Sequence, residues 1–215
     1  MFHLMEFLST TYGHPEKANW NDFLFQHSRA FSLAMRVAVV EYCVESFLFP
    51  NLKPKLLFLS ILGLIAVIFG QCLRSLAMYT LGVSFTHLVA DRKEPEHVLG
   101  TRGVYAYSRH PSYLGWFWWA IGTQMLIANP ICLLGYIYAA TVFFVDRIPP
   151  EEESLLEFFG DQFAEYRAKV PIGFPLDLAI KYIAKYEIPT DSDLDSKAGA
   201  SISNDQSTRA RKKGQ

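Results

Sequence analysis

The chain carries four long apolar runs separated by short polar segments, over residues 30–49, 55–81, 113–128 and 131–145. A helix needs about 20 apolar residues to cross a hydrocarbon core of roughly 30 Å, and somewhat fewer inside a bundle. Asn129-Pro130 alone separates the last two runs, which leaves room only for a tight helical hairpin. We therefore predict four membrane helices, the last two of which form a hairpin.

A further segment, residues 151–170, has the pattern of an amphipathic helix. Acids occupy its first turn, and its large apolar side chains recur at helical spacing. We predict that this helix begins near Pro150, ends at Pro171 and lies on the membrane face. The apolar positions are Leu155, Phe158, Phe159, Phe163 and Tyr166.

The C-terminal segment, residues 176–215, is predicted to be a polar and largely disordered tail. From Thr190 onward it contains hardly any apolar residue. The predicted organisation is therefore a membrane domain over residues 1–175 followed by this tail. The tail ends KKGQ, which resembles the dilysine retrieval signal of endoplasmic-reticulum membrane proteins through Lys212 and Lys213, although a solvated basic end is the alternative interpretation.

The distribution of Lys and Arg predicts the orientation of the bundle. Basic residues occur in the loop over residues 82–112 and again after residue 145, whereas the hairpin turn has none. The positive-inside rule then places this loop and the C-terminal region on the cytosolic side, in agreement with an even number of spans. The predicted fold is all-α: a polytopic membrane helix bundle with a C-terminal hairpin and a cytosolic loop and helix.

Composition supports a membrane protein and excludes other classes. Hydrophobic residues make up 51% of the 215, aromatic residues make up 15%, and the formal net charge is −1. With no basic stripe interleaved with aromatic residues, a nucleic-acid partner is not expected. Cys43, Cys72 and Cys132 stand singly within apolar runs, so neither a disulfide framework nor a metal site is expected.

Two polar stretches, residues 97–116 and 146–153, flank the hairpin and should meet in space at one face of the membrane. Polar groups placed there are more often functional than not. Each residue also has a structural interpretation: Arg109 as a snorkelling side chain, the tyrosines and tryptophans as an interfacial belt, and Glu151 as a charge opposing a helix dipole. The combination is more informative than any single residue.

Taken together, the chain resembles the isoprenylcysteine carboxyl methyltransferase family from near its N-terminus to about Pro175. The most specific match is GVYAYSRHPSYLGWFWWAIGTQ at residues 103–124. Further matches are CVESFLFPNLK (43–53), SFTHLV (84–89), HVL (97–99), the Asn-Pro turn, Asp-Arg (146–147), EEESLLEFFG (151–160) and EYRAKVPIGFP (165–175).

The resemblance implies an activity and a site. The implied reaction is methyl transfer from S-adenosylmethionine to the α-carboxylate of the C-terminal prenylcysteine of processed C-a-a-X proteins, at the endoplasmic reticulum, with the site facing the cytosol. Arg147 is expected to bind the substrate, and no residue is expected to act as a general base. The residues expected to contact the methyl donor are His97, Val98, Leu99, Gly100, Tyr105, His110, Pro111, Ser112, Tyr113 and Glu151.

The sequence departs from the family pattern in three places. Gly100 stands where many members have a larger apolar residue, and Ala90 stands where some have a longer polar one. The resemblance also begins almost at Met1, whereas relatives normally carry further membrane helices before this point. The alternative interpretations are an enzyme resembling membrane sterol reductases or phospholipid N-methyltransferases, a non-enzymatic four-span adaptor, and an inactive shortened form.

Overall fold

The computed structural model describes residues 2–13, 29–85 and 97–186, the last five by their backbone only. Within these ranges all regular structure is helical, as predicted. Short 3-10 turns lie at Gly82–Ser84 and Gly103–Ala106. The helices are α1 (Phe2–Gly13), α2 (Arg29–Leu48), α3 (Leu52–Lys55), α4 (Leu57–Leu81), α5 (Pro111–Leu126), α6 (Pro130–Phe159), α7 (Asp161–Lys169) and α8 (Leu176–Tyr186). Through Ala179 the described chain forms one compact unit, and the end of α8, from Ile180, belongs to a second.

Helices α4 and α5 pack closely along a seam of glycines. A Cβ atom built on Gly63 would lie 2.2 Å from the backbone nitrogen of Leu126, and one built on Gly70 would lie 2.5 Å from the carbonyl oxygen of Gly115. Small residues let helix backbones approach in this way, and dispersion then holds the pair together in lipid. The glycines of the seam are Gly63 and Gly70 on α4 and Gly115 and Gly122 on α5.

The turn between α5 and α6 is fixed by polar side chains from α2 and α3. The Glu41 carboxylate accepts hydrogen bonds from the backbone nitrogens of Ile131 and Cys132, both at 2.7 Å. It therefore occupies the N-terminus of α6, where a negative charge opposes the helix dipole. Asn129 donates to the carbonyl oxygen of Ala38 at 2.8 Å.

Lys53 completes this network by donating to Glu45 at 2.5 Å and to the carbonyl oxygen of Ala128 at 2.8 Å. We call Glu41, Glu45, Lys53 and Asn129 the far-end clamp, because they lie at the opposite end of α5 from its first residue. The clamp ties α2 and α3 to the hairpin at that end.

Helix α6 continues without a break through Pro149 and Pro150. The prediction of a separate helix over residues 151–170 was therefore wrong. Two prolines remove two backbone donors from the helix, but the buried residues Ile148 and Glu152 hold it on both sides of that point. The break occurs instead at Gly160, whose φ of 52° ends α6 and precedes α7.

Two described helical segments are long and apolar enough to cross a membrane: Leu57–Ser84 and Pro130–Phe159. Helix α2 coincides with a predicted span but carries Glu41 and Glu45, and α5 is only 16 residues long. The assignment of four spans therefore stays a prediction. Large apolar side chains cover the outer face of α4, among them Phe58, Ile61, Ile65 and Phe69.

The segment predicted as a tail begins with helix α8, which the sequence analysis did not predict. Leu176 is fully buried at the start of α8. Asp177 accepts hydrogen bonds from the backbone nitrogens of Ile172, at 3.0 Å, and Gly173, at 2.7 Å. These contacts order the segment although it lies next to a polar sequence. The rest of the predicted tail, including Lys212 and Lys213, lies outside the described residues.

Candidate active site

A cavity of about 570 Å³ lies between α2, α4, α5 and α6 and extends to the loop before α5. The residues predicted to form the site all line it, except Pro111. Pro111 is buried as the first residue of α5, where its fixed φ favours the start of a helix. The two polar stretches that flank the hairpin therefore do meet, as predicted.

The hydroxyl of Tyr113 connects the residue predicted to bind the substrate with one predicted to bind the donor. It accepts a hydrogen bond from Nε of Arg147 at 3.1 Å and donates one to Oε2 of Glu151 at 2.5 Å. Arg147 also lies against the Tyr113 ring, 5.9 Å from its centroid. Because α6 continues through its two prolines, Arg147 and Glu151 lie one helical turn apart and both reach Tyr113.

His110 is buried beside this group, with its ring parallel to that of Tyr113 at a centroid distance of 5.6 Å. Its Nε2 lies 3.1 Å from Oε1 of Glu152, and its Nδ1 lies 3.6 Å from Oε1 of Glu151. The imidazole is thus held between two consecutive carboxylates of α6. The spacing of the residues in sequence did not predict either contact of the two ring nitrogens.

Glu152 connects three elements around the site. It accepts a hydrogen bond from Nε of Arg109 at 2.7 Å and forms an ion pair with Arg167 of α7 at 3.2 Å. Arg109 also donates to the carbonyl oxygen of Val170. Arg109 is therefore a structural cross-link and not a snorkelling side chain.

The segment from His97 to Gly100 runs as irregular chain along the cavity wall. A Cβ atom on Gly100 would lie 2.5 Å from Cδ2 of Leu81, so glycine brings the backbone close to α4. A larger residue here would require the Leu81 side chain to move. Ala90, the other departure from the family pattern, lies outside the described residues.

Tyr105 is buried in the loop before α5, and its carbonyl oxygen accepts a hydrogen bond from the hydroxyl of Tyr166 at 2.5 Å. Burial raises the pKa of Tyr105 well above its usual value, and burial raises the pKa of Tyr166 to about 12. Both hydroxyls are therefore protonated at neutral pH. The Tyr166 hydroxyl therefore donates the hydrogen bond that holds the loop in place. The Tyr105 side chain presents a neutral hydroxyl to the cavity.

Comparison with known proteins assigns the family. Residues 61–157, which include every predicted site residue, match the family model described as the isoprenylcysteine carboxyl methyltransferase family. The chain is 46% identical to the protein-S-isoprenylcysteine O-methyltransferase of Xenopus laevis over 180 residues, covering 84% of this chain and 62% of that protein. It is also 46% identical to the Saccharomyces cerevisiae protein of the same name, covering 81% of this chain and 75% of that one.

The chain belongs to the isoprenylcysteine carboxyl methyltransferase family. A solved structure titled as the eukaryotic intramembrane Ras methyltransferase of this family superposes with a TM-score of 0.76 at 39% identity, covering 82% of this chain and 63% of that one. This similarity confirms the predicted all-α membrane helix bundle. The chain spans about three fifths of the length of the Xenopus relative.

Two residues of the site, Glu152 and Arg74, were not among the predicted site residues. Glu152 lies on the same buried face of α6 as Val145 and Ile148. Because a helix break was expected at the prolines, the sequence did not predict that Glu152 would continue this face. Arg74 of α4 forms a buried bidentate ion pair with Glu6 of α1, both contacts at 2.6 Å. No sequence signal connected Arg74 and Glu6, which are 68 residues apart.

Arg74 also donates to the Ser112 hydroxyl at 2.9 Å, and both residues line the cavity. This contact joins α1 and α4 to the first turn of α5, where His110 and Tyr113 begin the site. Among the described residues, no group of three or more His, Cys, Asp or Glu side chains is arranged to hold a metal ion.

Proposed function

We propose that this chain transfers a methyl group from S-adenosylmethionine to the α-carboxylate of a C-terminal prenylcysteine. The observation that carries the proposal is the chain of contacts from Arg147 through Tyr113 to Glu151 in one cavity. It puts a cation suited to a carboxylate one helical turn from an acid suited to the amino or ribose groups of a donor. The relatives' names support carboxyl methylation over sterol reduction or amine methylation.

The residues of the cavity fit the methyl donor in chemistry. Its volume of about 570 Å³ falls within the roughly 300–1,000 Å³ of small-molecule sites. Glu151 could accept hydrogen bonds from the donor's ammonium or ribose hydroxyls, and the rings of Tyr105 and His110, which also line the cavity, offer surfaces for adenine. We assign the donor contacts to the residues that the family resemblance implies, namely His97, Val98, Leu99, Gly100, Tyr105, His110, Pro111, Ser112, Tyr113 and Glu151.

Arg147 is assigned to the acceptor carboxylate. A C-terminal carboxylate has a pKa of about 3.5 and is an anion at neutral pH, so no general base is needed. The donor, when bound, would supply a methyl group carried on a sulfonium sulfur. A carboxylate oxygen would bond to the methyl carbon as the carbon–sulfur bond breaks, and the sulfur would leave as a neutral thioether. Arg147 orients the carboxylate for this in-line attack, which is where much of the rate enhancement arises.

The surroundings of Arg147 and Tyr113 favour this reaction. Trp116, Phe143 and Phe144 contribute an apolar wall, and Phe144 is buried. A positive sulfonium and a negative carboxylate neutralise each other along the reaction path, so a site with little water favours the transition state. The prenyl chain of the substrate partitions into the bilayer and would reach this wall sideways, between helices.

We further propose four membrane spans in the endoplasmic-reticulum membrane, with the loop that contains His97 to Gly100 on the cytosolic side. This orientation rests on the distribution of Lys and Arg along the chain. It would give the site access to C-a-a-X proteins after prenylation and trimming.

The test uses membranes that contain the full chain, incubated with labelled S-adenosylmethionine and N-acetyl-S-farnesylcysteine. We expect a base-labile methyl ester, which is absent without the acceptor. Parallel incubations with phosphatidylethanolamine, and with a sterol and NADPH, test the two alternative enzymes. Labelled phospholipid, or NADPH oxidation, with no methyl ester would refute the proposal.

A further inference from the structure

Helix α1 holds the guanidinium of Arg74 from two sides. Glu6 accepts hydrogen bonds from Nε and Nη2 of Arg74, both at 2.6 Å. Phe2 lies on the same face of α1 as Glu6, and its ring centroid is 5.9 Å from the guanidinium carbon. Phe2 in turn stacks on Trp119 of α5 with a centroid distance of 4.0 Å. Since Arg74 and Glu6 are both buried, α1 determines the plane of the guanidinium.

The close packing of α4 and α5 brings Arg74 to the first turn of α5. A Cβ atom built on Gly115 would lie 2.7 Å from the backbone nitrogen of Arg74, so glycine is needed for this approach. Nη1 of Arg74 then donates to the Ser112 hydroxyl at 2.9 Å. Because a guanidinium is planar and Glu6 holds its Nε–Nη2 edge, the direction of Nη1 is fixed as well.

This contact determines where the Ser112 proton can be directed. A guanidinium only donates, so the Ser112 oxygen is the acceptor and its own proton points away from Arg74. Both residues line the cavity, and Ser112 is buried. A ligand in the cavity that offers an acceptor atom can therefore receive a hydrogen bond from this hydroxyl.

Stability alone does not account for the Arg74–Glu6 pair. Two buried charges lose their hydration, and replacing such a pair with apolar residues of similar volume is often neutral or stabilising. Packing of α1 on α4 would therefore not require an ion pair at this position. Apolar residues could not provide a donor of fixed direction at the Ser112 oxygen.

We propose that Arg74 and Glu6 are positioning residues of the donor site. Glu6 fixes the guanidinium, and Arg74 orients the Ser112 hydroxyl so that its proton is donated to the methyl donor. This inference rests on the proposed function, because it takes Ser112 as a contact of S-adenosylmethionine. The acceptor on that molecule would be its carboxylate, a ribose oxygen or a ring nitrogen. Neither Arg74 nor Glu6 needs to touch the donor for this effect.

The experiment measures the dissociation constant for S-adenosylmethionine by isothermal titration calorimetry, with the detergent-purified full chain. Ser112→Ala should weaken binding about two- to tenfold, as for the loss of one hydrogen bond. Glu6→Gln and Arg74→Lys should weaken it to a similar extent, because Gln offers one acceptor in place of two and Lys has no planar fork. In the Ser112→Ala background neither substitution should change the affinity further, because the hydroxyl through which it acts is absent.

Glu45→Gln is the matched control. It removes the ion pair that Glu45 forms with Lys53 in the far-end clamp, where the Glu45 side chain is 12% exposed. It should lower the midpoint of thermal unfolding in detergent and leave donor affinity unchanged. If the Arg74–Glu6 pair were merely structural, its variants would behave like this control, or would lose affinity by the same factor with and without the Ser112 hydroxyl.

Losses of affinity in Glu6→Gln and Arg74→Lys that disappear in the Ser112→Ala background would support the positioning role. Wild-type affinity in any of the three single variants, or losses that multiply in the double variants, would overturn it while the proposed function stands. If Glu6→Gln does not fold, Arg74→Lys, which keeps the pair of opposite charges, decides. Failure of the unsubstituted chain to methylate N-acetyl-S-farnesylcysteine would overturn the proposed function itself.

Discussion

Glu152 and His110 form a buried pair in which Oε1 of the acid lies 3.1 Å from Nε2 of the ring. An ionised carboxylate only accepts hydrogen bonds, so Nε2 is the donor in this pair. Nδ1 is the nitrogen on the side of Glu151, which lines the cavity. Glu152 therefore fixes which nitrogen of His110 a ligand would meet.

Glu152→Gln should destabilise the protein and weaken donor binding. The amide keeps the size of the side chain but leaves Arg109 without its anionic partner, and breaking a buried ion pair costs about 3–5 kcal/mol. Thermal unfolding in detergent and the dissociation constant for S-adenosylmethionine measure the two effects. Glu153→Gln is the control, because Glu153 is exposed on the same turn. Equal unfolding midpoints for the two variants would contradict this role.

How far the sequence predicted the site depends on the kind of interaction. The hydrophobic runs predicted the positions of α2, α4, α5 and the first half of α6, because apolar periodicity follows from burial in lipid or core. The register between Arg147 and Glu151 could not be predicted, because local rules favour a break at Pro149 and tertiary contacts of Ile148 and Glu152 override them.

Long-range ion pairs were beyond the reach of sequence reasoning for a different reason. Arg74 reads as a single charge inside an apolar run, and Glu6 reads as one acid near the N-terminus. Their pairing depends on α1 packing against α4, which periodicity does not specify. The family motifs located the lining of the cavity but did not indicate that Arg74 and Glu6 would pair beside it.

The glycine seam predicts a sharp difference between two substitutions. Gly70→Ala places a Cβ 2.5 Å from backbone atoms of α5, so the helices must separate. Overpacking of this kind costs about 1–3 kcal/mol, and activity should fall as α5 shifts. Gly135→Ala on α6 is the control, since a Cβ there meets nothing within 4 Å. Thermal unfolding in detergent should separate the variants, and matching midpoints would refute close packing at this seam.

The proposed orientation predicts which loops a lumenal enzyme can modify. A glycosylation acceptor placed in the exposed connection at Pro50 and Asn51 should be modified, and one placed in the C-terminal tail should not. Asn129 is unsuitable as the acceptor because it is buried and bonded to Ala38. The gel shift of each variant after glycosidase treatment is the measurement. Modification of the tail would reverse the proposed topology.

His110→Ala and Glu151→Ala should each weaken binding of S-adenosylmethionine while the protein remains folded in membranes. Each substitution removes a polar partner of a buried ligand, which costs about 1–3 kcal/mol. Isothermal titration calorimetry with S-adenosylmethionine and detergent-purified protein measures the change in affinity. Glu153→Ala is the control, because Glu153 is exposed. Wild-type donor affinity in both variants would remove these residues from the donor site.

Arg147→Lys should lose activity although it keeps the positive charge. A point charge on a flexible stem cannot reproduce the planar fork of a guanidinium, nor hold a carboxylate and the Tyr113 hydroxyl together. Charge-assisted hydrogen bonds are worth about 1.5–3 kcal/mol, so kcat/KM for farnesylcysteine should fall about ten- to a hundredfold. Arg102→Lys, at an exposed arginine of the loop before α5, is the control.

Donor affinity separates the two roles that Arg147 can have in this geometry. If Arg147 binds the acceptor, Arg147→Lys should retain its affinity for S-adenosylmethionine, because Glu151 remains in place. Tyr113→Phe removes the hydroxyl that contacts both Arg147 and Glu151, so it should impair acceptor use and donor binding together. Wild-type turnover and wild-type KM for farnesylcysteine in Arg147→Lys would contradict this assignment, because an ammonium would then replace the guanidinium without loss. Arg147 would in that case be a membrane anchor.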